Sequence, residues 1–283
     1  MKVAVLGGDR RSVLLAGLLQ QDGQRLQSFA LERAELPEEI PRAEHLQAAL
    51  YGADAVVLPL PAEKGGMLNA PYARLPCRME EVCEALWPGQ IVFGGVFSEQ
   101  LQLWAVSHGL QLVDWMRRPG FVLGNAALTA EGAVGLLLQE SERSLFGSRI
   151  LVSGFGRIGR LLAGKLHAMG AAVTVAARRE EHRAEAGALG YAAVSFDALP
   201  GGFDFVVNTV PERVLGEGFL CCLPETALML ELASAPGGYD RNLAENLGLR
   251  CQAAPGLPGR SAPLSAAELM RREFYLAMKE ERE

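Results

Sequence analysis

The chain has 283 residues, with 27 Lys and Arg against 33 Asp and Glu, a formal charge of -6, and 49% hydrophobic and 21% charged residues. That is the composition of a folded protein of about two domains rather than of a disordered chain, and its acidic balance gives no support to a nucleic-acid-binding surface. No apolar run approaches the roughly 20 residues of a membrane span. The opening MKVAVLGGDRR carries too short an apolar run for a secretory signal core. A cytoplasmic protein with no membrane and no nucleic-acid partner is therefore expected.

Short apolar runs of strand type alternate with helical stretches. Lys2 to Leu6 reads as a strand, followed by Gly7-Gly8 and a helix through Ser12 to Gln21. Ala55 to Leu58, Ile91 to Phe93 and Leu110 to Val113 read as further strands. A helix is expected over Thr129 to Arg143, with Asn125 or Thr129 as its cap and Gly147 ending the segment. A second strand series follows at Arg149 to Ser153, Ala172 to Ala176, Phe203 to Asn208, Ala227 to Leu232 and Leu249 to Ala253. A last helix covers 262–283, with Pro263 in its first turn. Such alternation predicts parallel sheets covered by helices: an α/β chain of two domains, 1–128 and 129–261, with the helix 262–283 crossing back to the first.

Five cysteines (Cys77, Cys83, Cys221, Cys222, Cys251) include no C-x-x-C, and the four histidines no pair at ligand spacing. Neither a disulfide framework nor a protein-held metal is expected.

The clearest chemical signal is Gly154-Phe155-Gly156-Arg157-Ile158-Gly159, a G-x-G-x-x-G directly after an apolar strand and directly before a helix. Gly154 permits the tight turn, Gly156 lets a pyrophosphate approach the backbone, and Gly159 lets helix and strand pack closely. The helix N-terminus then offers unpaired N–H groups to phosphate. The next strand ends in Ala177-Arg178-Arg179, where an NAD site usually carries an acid for the ribose 2′-hydroxyl. Arg178 and Arg179 suit a 2′-phosphate instead, so NADP is expected over NAD; Glu180 and Glu181 blunt that field. Two more strand ends, Asn208-Thr209-Val210-Pro211 and the stretch carrying Ala233 and Ser234, are candidates to hold the ribose or carboxamide. The first glycine loop, Gly7 to Arg11, lacks the third glycine and is not read as a second dinucleotide site.

These motifs, together with Asn125 to Gly132, Leu232 to Gly238, and Ala254 to Gly259 followed by Ala262-Pro263, resemble the family of dipicolinate synthase A subunits of spore-forming bacteria. They occur in that family's order over nearly the whole chain. The resemblance implies two Rossmann-like doubly wound domains similar to those of 2-hydroxyacid and alanine dehydrogenases, the first serving the substrate and the second NAD(P). It implies NADP-linked oxidation of a dihydrodipicolinate-type ring to pyridine-2,6-dicarboxylate, and a partner chain, the B subunit of dipicolinate synthase. Arg260 stands where the family tends to carry lysine and keeps the charge, Leu264 replaces a second lysine, and Leu128 stands where proline is common.

A small dicarboxylate calls for cationic or N–H-rich partners. Arg11 and Arg260 are the first choices, with Thr129, Gly256, Pro258 and Gly259 lining the same ligand; Arg10, Arg117 and Arg118 are weaker ones. Asp9 and Glu131 are the candidate acid–base groups, Glu131 alternatively charging the first turn of its helix. A homo-oligomer is left open. The competing readings are another NAD(P)-dependent oxidoreductase of a 2-hydroxy or 2-amino acid, and a non-catalytic NADP-binding subunit. Hydroxyacid chemistry uses a histidine as acid–base, and no histidine follows His182.

Overall fold

The computed structural model describes residues 1–280, so the last three positions of the expected helix 262–283 lie outside the described residues. In chain order the elements are β1 (Lys2–Leu6), α1 (Arg10–Gln21), β2 (Arg25–Phe29), α2 (Leu46–Leu50), β3 (Ala55–Val57), the hairpin β4 (Glu63–Lys64) and β5 (Met67–Leu68), α3 (Met79–Ala85), β6 (Ile91–Gly94), α4 (Glu99–Ser107), β7 (Gln111–Asp114) and α5 (Pro119–Gln139). There follow β8 (Arg149–Ser153), α6 (Arg157–Ala168), β9 (Ala172–Ala176), α7 (Glu180–Ala188), β10 (Ala192–Val194), β11 (Phe205–Asn208), α8 (Glu217–Leu220), β12 (Leu228–Glu231), α9 (Arg241–Asn246), β13 (Arg250–Ala253), α10 (Leu257–Ser261) and α11 (Pro263–Glu280). They form two units: Met1–Asn125 with the segment from Ala262 onward, and Ala126–Ser261.

The first unit is built on a five-stranded parallel sheet of order β2-β1-β3-β6-β7. The order reverses between β1 and β3, where doubly wound sheets bind ligands beyond the strands' carboxyl ends. Both faces are covered, so β1 is apolar from Val3 to Leu6. Val3 and Val5 face Leu15 and Leu19 of α1 together with α11, while Ala4 and Leu6 face the core holding Ala49 and Val82.

Helix α11 joins this unit through Ala267, Met270, Phe274 and Ala277, the three-and-four spacing of one buried helix face. The Phe274 ring lies 4.6 Å from that of Phe93, which stacks at 5.1 Å on Trp115. Polar contacts fix its register: Asp22, capping the end of α1, accepts from Arg271 Nε at 2.6 Å and from the Tyr275 hydroxyl at 2.9 Å. Arg118 pairs with Glu273 at 2.7 Å and Glu280 at 2.9 Å. Its guanidinium is thereby committed to α11, which corrects its reading as a substrate contact.

The second unit carries a six-stranded parallel sheet of order β10-β9-β8-β11-β12-β13, the strand order of dinucleotide-binding domains. Ile150 and Val152 face Ala130, Ala133 and Leu137 of α5 and Leu162 and Leu166 of α6, while Leu151, Val206 and Met229 face the core containing Phe219 and Tyr239.

Two edge strands, β2 and β10, escape the sequence reading, β2 because it is half-polar and β10 because it is only three residues long. Helix α5 starts at Pro119 rather than Thr129, so Asn125 and Thr129 lie inside it and cap nothing. Glycines hid its first turns. A Cβ at Gly124 would stand 2.7 Å from Leu269 of α11, so the glycine serves close helix packing. At 21 residues α5 is long and apolar enough to cross a membrane, which corrects the expectation that no stretch reaches that length; in the fold, Phe121, Ala126, Ala130, Ala133 and Leu137 of this helix are buried.

Replacing Phe274 with Ala is expected to destabilise the protein by about 3–5 kcal/mol, read by urea unfolding. A loss below about 1 kcal/mol would show that α11 is not integral to the first unit's core.

Candidate functional site

The glycine turn joins β8 to α6. Gly154 has φ +95, a left-handed backbone that glycine adopts freely, and its N–H bonds to Ala176 O at 2.8 Å. A Cβ on Gly159 would overlap the carbonyl oxygen of Gly154, so helix and turn touch backbone to backbone. Gly156 caps α6 in extended conformation without any side-chain cap, and nothing lies within 4 Å of where its Cβ would be. The first N–H groups of this 12-residue helix therefore open onto free space, as a phosphate cradle requires. Phe155 is buried beside Tyr191 and His182, Ile158 is half-buried, and the Arg157 side chain is exposed.

The strands on either side of β8 bring the other candidates to the same edge. At the end of β9, Ala177 is buried, Arg179 sits at the cap of α7, and Arg178 Nη2 bonds to Glu212 Oε2 at 2.7 Å. Arg183 donates to the carbonyls of Ala177 and Arg178 at 2.8 and 2.6 Å and so fixes this turn. Beyond β11, the Thr209 hydroxyl donates to Ser153 O at 2.8 Å and is thereby tied to the glycine turn. Fully buried Asn208 donates to Val210 O at 2.8 Å and to Glu231 Oε1 at 2.7 Å. Pro211 is exposed. Glu231 also accepts from Ala233 N at 2.9 Å and Gly238 N at 2.8 Å, shaping the loop that leaves Ser234 exposed.

Sequence reasoning missed Arg183 and Glu212, and took in Glu231 only as the first residue of a strand-end stretch, without a role. Glu231 immediately precedes the Leu232 to Gly238 stretch, and its place at a strand end was the available signal. For Glu212 and Arg183 only the fold supplies the partner.

The remaining candidates form two groups. In the second unit, α10 packs against α5 at Gly132, where a Cβ would stand 2.6 Å from Ser261 Oγ. Thr129, buried, lies three residues earlier on α5, and Pro258 is buried while Gly256 and Arg260 are exposed and Gly259 half-buried. Glu131 points away to solvent and pairs with Lys165 at 3.0 Å. It lies in mid-helix, which corrects its reading as a first-turn charge. In the first unit, Asp9 caps α1 through Arg11 N at 3.0 Å and binds the Arg11 guanidinium at 2.8 Å. Arg11 Nη2 also reaches Leu60 O at 2.6 Å, across the switch between β1 and β3. Its side chain is 7% exposed, and Nη1 has no partner among the described residues. A concavity of about 1190 Å³ elsewhere in this unit, lined by Arg42, His45 and Arg74 among others, contains none of the motif residues.

Among the described residues no His, Cys, Asp and Glu cluster could hold a metal. The five cysteines are free thiols. Burial, then the charges of Glu63, Glu80 and Glu84, push the Cys83 thiol up to about 11, and burial with Glu81 raises Cys77. These two thiols stay protonated near neutral pH and offer no nucleophile.

Two parallel doubly wound sheets, one bearing an open glycine cradle on the dinucleotide strand order, define a nicotinamide-dependent dehydrogenase fold. Comparison with known proteins agrees. Residues 2–116 match the N-terminal domain of the dipicolinate synthase A subunit, and residues 128–221 match the D-isomer specific 2-hydroxyacid dehydrogenase NAD binding domain. The A subunit of dipicolinate synthase from Bacillus subtilis (strain 168) is 28% identical over 284 aligned residues, covering 95% of this chain and 93% of the relative. The crystal structure of the dipicolinate synthase A chain from Bacillus subtilis superposes with a TM-score of 0.85 at 26% identity, covering 100% and 98% of the two chains. An L-alanine dehydrogenase shares the fold at a TM-score of 0.62, 14% identity and 96% and 87% coverage. The chain is similar over nearly its whole length to a dipicolinate synthase A subunit, the family its motifs resemble, and has an oxidoreductase fold and a nicotinamide-binding domain of the dehydrogenase type.

Gly159→Ala is expected to destabilise the second unit by about 1–3 kcal/mol, whereas Gly156→Ala, which meets open space, leaves the melting temperature unchanged; equal effects in thermal unfolding would contradict the packing described. Alkylation of the native protein at pH 8 is expected to label the exposed Cys221 and Cys222 and spare Cys77 and Cys83 until urea is added. Peptide mass spectrometry reads the order, and early labelling of Cys83 would count against its buried, protonated state.

Proposed function

We propose that this protein oxidises a dihydrodipicolinate-type intermediate to pyridine-2,6-dicarboxylate with NADP, in spore-forming cells and together with the B subunit of dipicolinate synthase. The observation that carries the reading is the open cradle at Gly156 in a chain similar to a dipicolinate synthase A subunit over nearly its whole length. The residues present fit a dinucleotide: a glycine turn no side chain obstructs, a helix start with free N–H groups, and two arginines where an NAD site would carry an acid. NADP, when bound, supplies the hydride acceptor.

The chain's own residues bind and orient. Backbone groups from Gly154 to Gly159 take the pyrophosphate, with Arg157 beside them. Arg178 and Arg179 take the 2′-phosphate. The segment Asn208 to Pro211 and the loop at Ala233 and Ser234 take the ribose and carboxamide end. In the first unit Arg11, with Nη1 unengaged, is the candidate partner for a substrate carboxylate; in the second, Arg260, exposed on α10, is another, with Thr129, Gly256, Pro258 and Gly259 as its accompanying candidates. Oxidation removes one hydride and one proton from the ring, and the gain of aromaticity drives the step, so orientation and charge complementarity are what the protein must supply. Asp9 acts in this reading by holding Arg11, and where the entering compound must first lose water its carboxylate takes the ring proton and returns it to the departing hydroxide; Glu131, turned to solvent and paired with Lys165, is the weaker candidate for that role.

The test uses purified protein, NADP and freshly made dihydrodipicolinate, with and without the partner polypeptide, following NADPH by absorbance and the diacid by chromatography. Stoichiometric NADPH and diacid are expected from this chain, at a rate that the partner polypeptide raises. Product only when the second polypeptide is present would give this chain a supporting role, and absence of coenzyme uptake by calorimetry under both conditions would sink the reading. Arg178→Ala should raise the KM for NADP well beyond that for NAD; Arg260→Ala should raise the KM for the diacid precursor while coenzyme affinity stays near normal.

A further inference from the structure

The proposed function gives Arg178 a 2′-phosphate to bind, and the following inference rests on it. Arg178 is already paired. Its Nη2 lies 2.7 Å from Glu212 Oε2, and the two side chains are 69% and 62% exposed. Arg178 follows β9 and Glu212 follows β11, the two neighbours of β8 in the sheet, so the pair spans the carboxyl edge beside the glycine turn. Arg179, at the cap of α7, has no ion pair among the described residues. The Arg178 backbone is also held, since Arg183 donates to its carbonyl at 2.6 Å; the guanidinium is therefore presented from a fixed point.

We propose that Glu212 sets the coenzyme discrimination of this site by opposing the 2′-phosphate at Arg178. A phosphate monoester carries close to two negative charges at neutral pH. Bound at Arg178, it shares the guanidinium with the Glu212 carboxylate, and the two anions repel. NAD has a hydroxyl there and meets no such cost. The exposed pair is weak in itself, so the phosphate is admitted but at reduced affinity. Glu212 thus lowers the preference for NADP below what two arginines alone would give, and it acts only through Arg178.

The experiment measures Kd for NADPH and NADH by coenzyme fluorescence on the wild-type chain, Glu212→Gln, Arg178→Ala and the double variant. Glu212→Gln is expected to tighten NADPH about two- to fivefold and to move NADH less than about twofold, with the gain shrinking as salt rises. In the Arg178→Ala background the Glu212 change should have no selective effect. An equal change for both coenzymes, weaker NADPH binding, no change, or a selective gain that survives without Arg178 would each overturn the role given to Glu212. If the wild-type chain binds neither coenzyme, the NADP reading itself fails and this inference with it; if it binds both while the selectivity does not move, only this inference fails.

Discussion

The second unit is organised by one contact that tolerates no side chain: the approach of Gly159 to the carbonyl of Gly154. It fixes where α6 begins relative to the end of β8 and so aims the free N–H groups of the first helical turn. The strand order then does the rest, because β9 and β11 flank β8 and their exits must descend on either side of the turn. Thr209 ties one exit to Ser153 O, and the N–H of Gly154 ties the turn to the end of β9. A cradle assembled mostly from backbone groups is rigid without costly side-chain ordering, and its dipoles are aligned before any anion arrives.

The first unit solves a different problem. Its switch point holds a nearly buried arginine, and a buried charge without a partner is costly. Asp9 serves as helix cap and counter-ion at once, and Leu60 O takes a further donor. The arginine is thereby held in one orientation with part of its donor set unspent. An anion reaching Nη1 meets a preorganised group, although Asp9 reduces the net field, so recognition there rests more on hydrogen-bond geometry than on bulk charge.

Elements set by period and punctuation were legible in the sequence. Lys2–Leu6, Arg149–Ser153 and Ala172–Ala176 stand at the residues read for them, because strands covered on both faces are written as short, mainly apolar runs bounded by polar or glycine residues. The fold class followed from their alternation with helices. The start of α5 did not, since Gly120 and Gly124 read locally as helix breakers and owe their place to the proximity of α11. The polar edge strand Arg25–Phe29 failed for the complementary reason: without two buried faces it has no apolar signature. Glycine spacing marked the cradle from residue types alone, but the ion pairs around it join residues far apart in the chain. Arg178 with Glu212, Glu131 with Lys165 and Arg118 with Glu273 are products of topology, and a series of charged positions cannot tell a committed arginine from a free one.

That distinction bears on how a fold of this kind carries chemistry. Hydride transfer to a nicotinamide asks for no protein nucleophile, and Cys83 and Cys77 are held protonated by burial and nearby carboxylates. The acids placed nearest the motifs, Asp9 and Glu131, are each bound to a cation. What the two units present is fixed dipoles and arginines held to different degrees: Arg118 locked to α11, Arg11 half-committed at its switch point, Arg178 loosely countered at the surface, and Arg260 on α10 without an ion pair among the described residues. Ranking cations by how much of their donor set the fold has already consumed separates structural from ligand-facing charge more sharply than burial does, since Arg11 is more buried than Arg118 and yet keeps a donor unspent.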